Sequence, residues 1–279
     1  MTLDPIHALH NAARRYCSER AAHWAAQERE LARAGRWHFA NARGQYENTD
    51  EAWSIFPRNQ LLFGILRDVE RVVPGDFSTV SDLRTMLIEA GTTAPASFWK
   101  SDRPSALQAI EDERQRFVEY VRYAEIEALA TLPVVPCRRL LSQAECETRR
   151  AAFALRWGTW NGGRAEPVAR ERGTLTLRAA VLHETDAEDR LRRVLKDRGV
   201  VQLIELLEFG DGYELELDGL ILYSGAETCW TSGEIDWMFN TSHESTVTFG
   251  GEWLVEAMRA YLPRFRLPYA NEDDLDDGP

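Results

Sequence analysis

His243 stands between Ser242 and Glu244, followed by Ser245 and preceded a short way upstream by Glu234 and Asp236. An imidazole beside carboxylates and hydroxyls is the material of general-base catalysis. Glu244 or Glu234 would orient the ring and a serine would supply the nucleophile. Spacing alone does not assemble such a centre, because neighbours in an extended chain point to opposite faces, so Ser242 and His243 meet only through a tight turn. The pattern therefore favours a hydrogen-bonded turn first, a partner-binding turn second and a catalytic one third. The same stretch, Tyr223 to Trp253, holds Trp230, Trp237 and Trp253. Indoles combine apolar area with one donor and anchor interfaces, although Trp24 and Trp53, at helical spacing, are expected in a core.

A second constellation is acidic. Tyr213, Leu215 and Leu217 alternate with Glu214, Glu216 and Asp218, a period of two that places three acids on one face of a strand. Together with Trp230, Trp237 and His243 they form the candidate partner-binding set. Two blander assignments compete: a solvated sheet face, or acids paired internally with Arg190, Arg192, Arg193, Lys196 and Arg198. Charge along the chain bears on this choice. Residues 200–279 contain seventeen acidic and three basic side chains, whereas residues 1–199 are close to neutral, within a net charge of -12. Such a C-terminal half repels nucleic acid and attracts basic partners.

Other chemistries are argued against. Lysine occurs only at Lys100 and Lys196, neither after a glycine, so no phosphate-binding Gly-Lys-Ser/Thr loop exists. GxGxxG, GxSxG, HExxH and CxxC are absent too. His7 and His10 have metal-like spacing without a carboxylate motif, so no metal and no cofactor are expected. Arg36 to Phe39 and Arg43 to Tyr46 interleave bases with aromatics, a weak nucleic-acid signal. Four scattered cysteines and no apolar run of spanning length point to a cytoplasmic protein with reduced thiols, without a membrane segment.

The elements that position these residues follow from periodicity. Helices are expected from Ile6 to Gly35, from Pro57 to Val73, from Val80 to Ala90 with Gly91 after it, and from Ser101 or Asp102 to Pro133. Pro133 and Pro136 mark a seam. Ser142 and Glu145 form a capping box for a helix ending at Trp157-Gly158, Asn161-Gly162-Gly163 reads as a loop, and Thr185 with Glu188 forms a second box. Strands are expected at Thr174–Leu182, Val200–Glu208, Tyr213–Asp218, Leu220–Tyr223, Ile235–Asn240 and Ser245–Phe249, and a closing helix at Glu252–Tyr261.

These elements make an α+β protein: a helical bundle domain over 1–133, an acidic α+β domain with a mostly antiparallel sheet over 134–267, and an acidic disordered tail over 268–279. The expected function is non-enzymatic: a bacterial-type immunity or antitoxin-like protein that captures a basic protein partner. The alternatives are a hydrolase or nucleotide-processing enzyme centred on His243, and a structural subunit of a homo-oligomer.

Overall fold

The computed structural model describes residues 3–40, 46–96, 102–158, 173–184, 186–208, 210–220, 227–242 and 246–261. His243, Glu244, the Asn161 loop, the Thr185 cap and the 268–279 tail lie outside the described residues. The fold is α+β, and the chain divides into two compact units, Met1–Val135 and Pro136–Pro279.

The N-terminal unit is built on α1 (Pro5–Arg33), α2 (Asp50–Arg71), α3 (Val80–Thr93), α4 (Pro104–Tyr123) and the single turn α5 (Ile126–Leu129), with a small hairpin of β1 (His38–Ala40) and β2 (Tyr46–Asn48). The hairpin was not expected from the sequence. α1 starts where Asp4 accepts from the Ile6 and His7 amides and stops before Gly35, which takes a φ of 68°. Leu9, Ala13, Leu61, Ile65, Leu83, Leu87, Phe117 and Val121 close the core.

Three expected boundaries need correction. α2 opens at Thr49, whose side chain caps the Ala52 amide, and Pro57 lies inside the helix rather than at its start. Gly91 lies within α3 instead of after it. A Cβ there would come within 2.4 Å of the Phe117 ring, so the glycine serves close helix packing. The fourth helix ends at Tyr123, well before Pro133, because Arg84 donates to the carbonyls of Val121, Arg122 and Ala124 and so satisfies the helix end.

The C-terminal unit carries β3 (Arg138–Leu140), α6 (Gln143–Trp157), β4 (Thr174–Arg178), α7 (Ala180–Glu184), α8 (Ala187–Asp197), β5 (Gln202–Leu207), β6 (Gly212–Glu216), β7 (Thr228–Thr231), β8 (Met238–Ser242), β9 (Thr246–Gly250) and α9 (Glu252–Tyr261). The strands form one antiparallel sheet in the order β3-β6-β5-β7-β8-β9-β4. One face packs Leu175, Leu203, Leu215, Trp230, Phe239 and Phe249 against Leu191 and Leu195 of α8 and Leu254 and Met258 of α9. The other packs Ile204, Leu206, Cys229 and Met238 against Phe153 and Trp157 of α6.

The Ser142–Glu145 capping box is formed in full. The Thr174 strand is shorter than expected, since the chain turns into α7 after Arg178 and buries Val181 and Leu182. α8 begins after Asp186, with no side-chain cap there. After Glu216 the chain leaves the sheet in a 3-10 turn, Leu217–Gly219.

Candidate functional site

Alternation along β7 and β8 sorts the Tyr223–Trp253 region into two environments. Trp230 and Phe239 are paired neighbours whose rings stack 5.2 Å apart on the face covered by α8 and α9. Trp237 lies in the same cluster, edge-on to Trp253 at 6.1 Å. Trp230 and Trp237 are 2 % and 1 % exposed, so both indoles pack the sheet and offer a partner no surface. The large apolar area of an indole left either role open; burial beneath α8 and α9 decides it.

On the opposite face the lining changes from apolar under α6 to polar towards β9 and β4. Thr176, Thr248, Asn240 and Cys229 succeed one another across four strands. Thr176 and Thr248 join hydroxyls at 3.0 Å, and the Asn240 amide donates to the Thr228 carbonyl at 3.2 Å and to the Cys229 sulfur at 3.1 Å. Burial pushes the Cys229 thiol up to about 12, so at neutral pH it is protonated and a poor nucleophile.

Next to this row, the Ser242 hydroxyl donates to Glu227 Oε1 at 3.0 Å, and both residues are 0 % exposed. Glu227 is the residue that sequence reasoning missed. Its signal was a lone acid just ahead of the strand Thr-Cys-Trp-Thr, and only the β7–β8 register shows that it faces Ser242.

The described catalytic candidates, Ser242, Glu234 and Asp236, are not gathered in one place. Asp236 and Glu234 belong to the turn before β8 and Ser242 closes that strand, a span on the order of 20 Å at about 3.3 Å per residue. Asp236 instead accepts from the Ser232 hydroxyl at 2.5 Å, and Glu234 is exposed. The same turn holds Ile235 at a φ of 57°, a costly conformation for a β-branched residue. Its carbonyl accepts from the Trp157 indole at 3.2 Å, which fixes the turn on α6.

The acidic strip is also rearranged. Glu214 and Glu216 share a face of β6, but Asp218 lies in the 3-10 turn, beyond the reach of the strand period. Glu214 accepts from Arg139 at 2.9 and 3.0 Å, and the same guanidinium forks onto both oxygens of Glu145 at 3.1 Å. That pairing, with the Ser142 amide, draws the Glu145 carboxyl down to about 2. Glu216 accepts from the Cys137 amide at 2.9 Å. On the other face Arg138 reaches Glu205 at 2.7 Å and lies 3.4 Å above the Tyr213 ring. The arginines that neutralise these acids thus come from edge strand β3, not from α8.

Other basic side chains of this unit are also engaged. Arg149 donates to the Gly233 carbonyl at 2.7 Å, and Arg150 to Leu207 and Asp211 carbonyls. Arg192 holds the Leu220 carbonyl and Glu188, and Arg193 lies 3.6 Å from Asp186. Arg198 sits over the Trp253 ring at 5.0 Å. By contrast Asp218, Glu234, Glu252 and Glu256 are exposed, with no ion pair among the described residues.

No protein-family model, curated protein or solved structure matches this chain.

In the N-terminal unit His7 bonds Asp4 at 2.6 Å, whereas His10 turns inward to the Val69 carbonyl at 3.0 Å. Desolvation lowers the His10 pKa to about 4, so the ring is neutral and donates to that carbonyl. No group of three metal-ligating side chains occurs among the described residues, and none of the described helices is long and apolar enough to cross a membrane.

Proposed function

We propose that this protein is a non-enzymatic binding protein of the immunity or antitoxin kind, which captures a basic macromolecular partner through its C-terminal unit. One observation carries the reading. Arg138, Arg139, Arg149, Arg150 and Arg192 are spent on the unit's own carbonyls and acids, while Asp218, Glu234, Glu252 and Glu256 remain exposed and unpaired among the described residues. A surface of that sign steers a basic partner and speeds its encounter.

The test is retention of protein from a lysate of the source cells on immobilised full chain, at low and at high salt. A basic protein retained by wild type at low salt, and lost from a Glu234→Gln, Glu252→Gln, Glu256→Gln variant, supports the reading. Retention that ignores both salt and the variant refutes it.

A second reading, an enzyme working beside His243, draws on the Ser242–Glu227 hydrogen bond directly before that residue. It requires hydrolytic activity that Ser242→Ala abolishes while the far-UV circular dichroism stays unchanged.

A further inference from the structure

The chain passes from one compact unit to the other between Val135 and Pro136, and each unit grips it close to that bond. On the N-terminal side the Asn11 carboxamide of α1, only 5 % exposed, holds the segment at two points. Its Nδ2 donates to the Pro133 carbonyl at 3.1 Å, and its Oδ1 accepts from the Val135 amide at 2.9 Å. Arg15 donates to the same Pro133 carbonyl at 3.2 Å. On the C-terminal side Glu216 holds Cys137 by both backbone groups. The Cys137 amide donates to Glu216 Oε2 at 2.9 Å, and the Cys137 carbonyl accepts from the Glu216 amide at 2.9 Å. Pro136 itself lies close to Gly219, where an added Cβ would come within 3.0 Å of the proline ring.

The peptide planes that flank these two residues are therefore fixed to different units, and few torsions remain between the grips. Peptide planes do not rotate, and the pyrrolidine ring holds Pro136 φ at about −65°. Only φ and ψ of Val135 and ψ of Pro136 are left. Val135 precedes a proline, which confines it to extended backbone, so ψ of Pro136 is the least restricted of the three. We propose that residues 133–137 form a stiff joint pivoting at Pro136 and not a flexible tether. Domains on a loose linker move independently by default, and these five hydrogen bonds restrict that motion. The joint is independent of what the C-terminal unit captures.

The experiment is NMR on the full chain, reading amide hydrogen exchange together with 15N relaxation. In wild type the Val135 and Cys137 amides should exchange slowly. Asn11→Ala should abolish the protection of Val135 and leave that of Cys137, and Glu216→Ala should do the reverse. Relaxation of both units in wild type should give the rotational correlation time of one body the size of the full chain. Pro136→Gly frees φ at 136 and lifts the restriction on Val135 without removing either grip, so it should shorten that time in both units.

Unprotected exchange of either amide in wild type overturns the proposal, as do wild-type correlation times of two bodies of half the size. An unchanged correlation time in Pro136→Gly also overturns it, because something other than the joint would then hold the units. Should Asn11→Ala unfold the N-terminal unit, Glu216→Ala and Pro136→Gly still decide, since neither removes a buried side chain of that unit.

Discussion

Arg84 and Arg114 cap each other's helices. Arg84, on α3, donates to the carbonyls of Val121, Arg122 and Ala124 where α4 ends, and Arg114, on α4, donates to those of Gly91, Thr92 and Ala94 where α3 ends. Each guanidinium satisfies three acceptors that a helix terminus leaves open, and complements the negative end of the helix dipole. A lysine ammonium cannot spread its donors across three carbonyls in one plane. This is one structural use of a basic set that is almost entirely arginine. Replacing Arg84 or Arg114 by lysine should cost about 1–2 kcal/mol of N-terminal-unit stability, read by urea denaturation.

Glu113 is 0 % exposed and sits in a cage of donors. Arg20 grips it through Nε and Nη2 at 2.8 Å, and the Trp24 indole donates at 3.0 Å. Desolvation raises its pKa, but the Arg20 bonds and charge outweigh this and the net shift is downward. A lowered folded-state pKa contributes stability above the unfolded value, and that contribution is lost as pH falls through the folded one. Glu113→Leu should destabilise the unit by about 3–5 kcal/mol, because it leaves the part-buried Arg20 and Arg58 guanidinium groups without this carboxylate, and should flatten its acid-unfolding slope.

His10 has the opposite chemistry and the same direction of pH dependence. Its pKa is lowered to about 4 from 6.5 by burial, so between those values the unfolded chain takes up a proton that the folded chain refuses. Stability should therefore fall as pH drops from 6.5 towards 4. Denaturation midpoints at several pH values in this window should fall less steeply for His10→Gln than for wild type.

Gly91→Ala tests close packing. The added methyl would meet Phe117 Cδ1 at 2.4 Å and Cε1 at 2.7 Å, and the ring, wholly buried, has nowhere open to move. A loss of about 1–3 kcal/mol is expected, visible in thermal melts, although alanine is the better helix former.

Charge reversal separates structural acids from surface ones. Glu214→Lys would face Arg139 and break a three-residue clamp, so it should lower stability measurably. Glu234→Lys, at an exposed turn without an ion pair, should stay within about 0.5 kcal/mol of wild type. Urea midpoints of both variants check this, and any effect of Glu214→Lys on capture must be corrected for its effect on folding.

What the sequence determined by itself is the local part of the structure. The Ser142–Glu145 box, the Asp4 cap, the left-handed glycines 35 and 199 and the start of α9 depend on residues within one helical turn of each other, and the apolar period of each helix states its buried face. Strands at the places of β5, β6, β8 and β9 and an antiparallel α+β fold were likewise legible, whereas β7, Thr228–Thr231, lacks alternation and was not. Alternation does not state which strand lies opposite. Register across the sheet therefore decided that Glu214 meets Arg139 and that Glu227 meets Ser242. Helix packing decided that Gly91 is a contact point rather than a cap, and that Glu113 reaches Arg20 across 93 residues. Such contacts exist only after the chain has closed long loops, and a run of residue types carries no record of the partner that closure will bring.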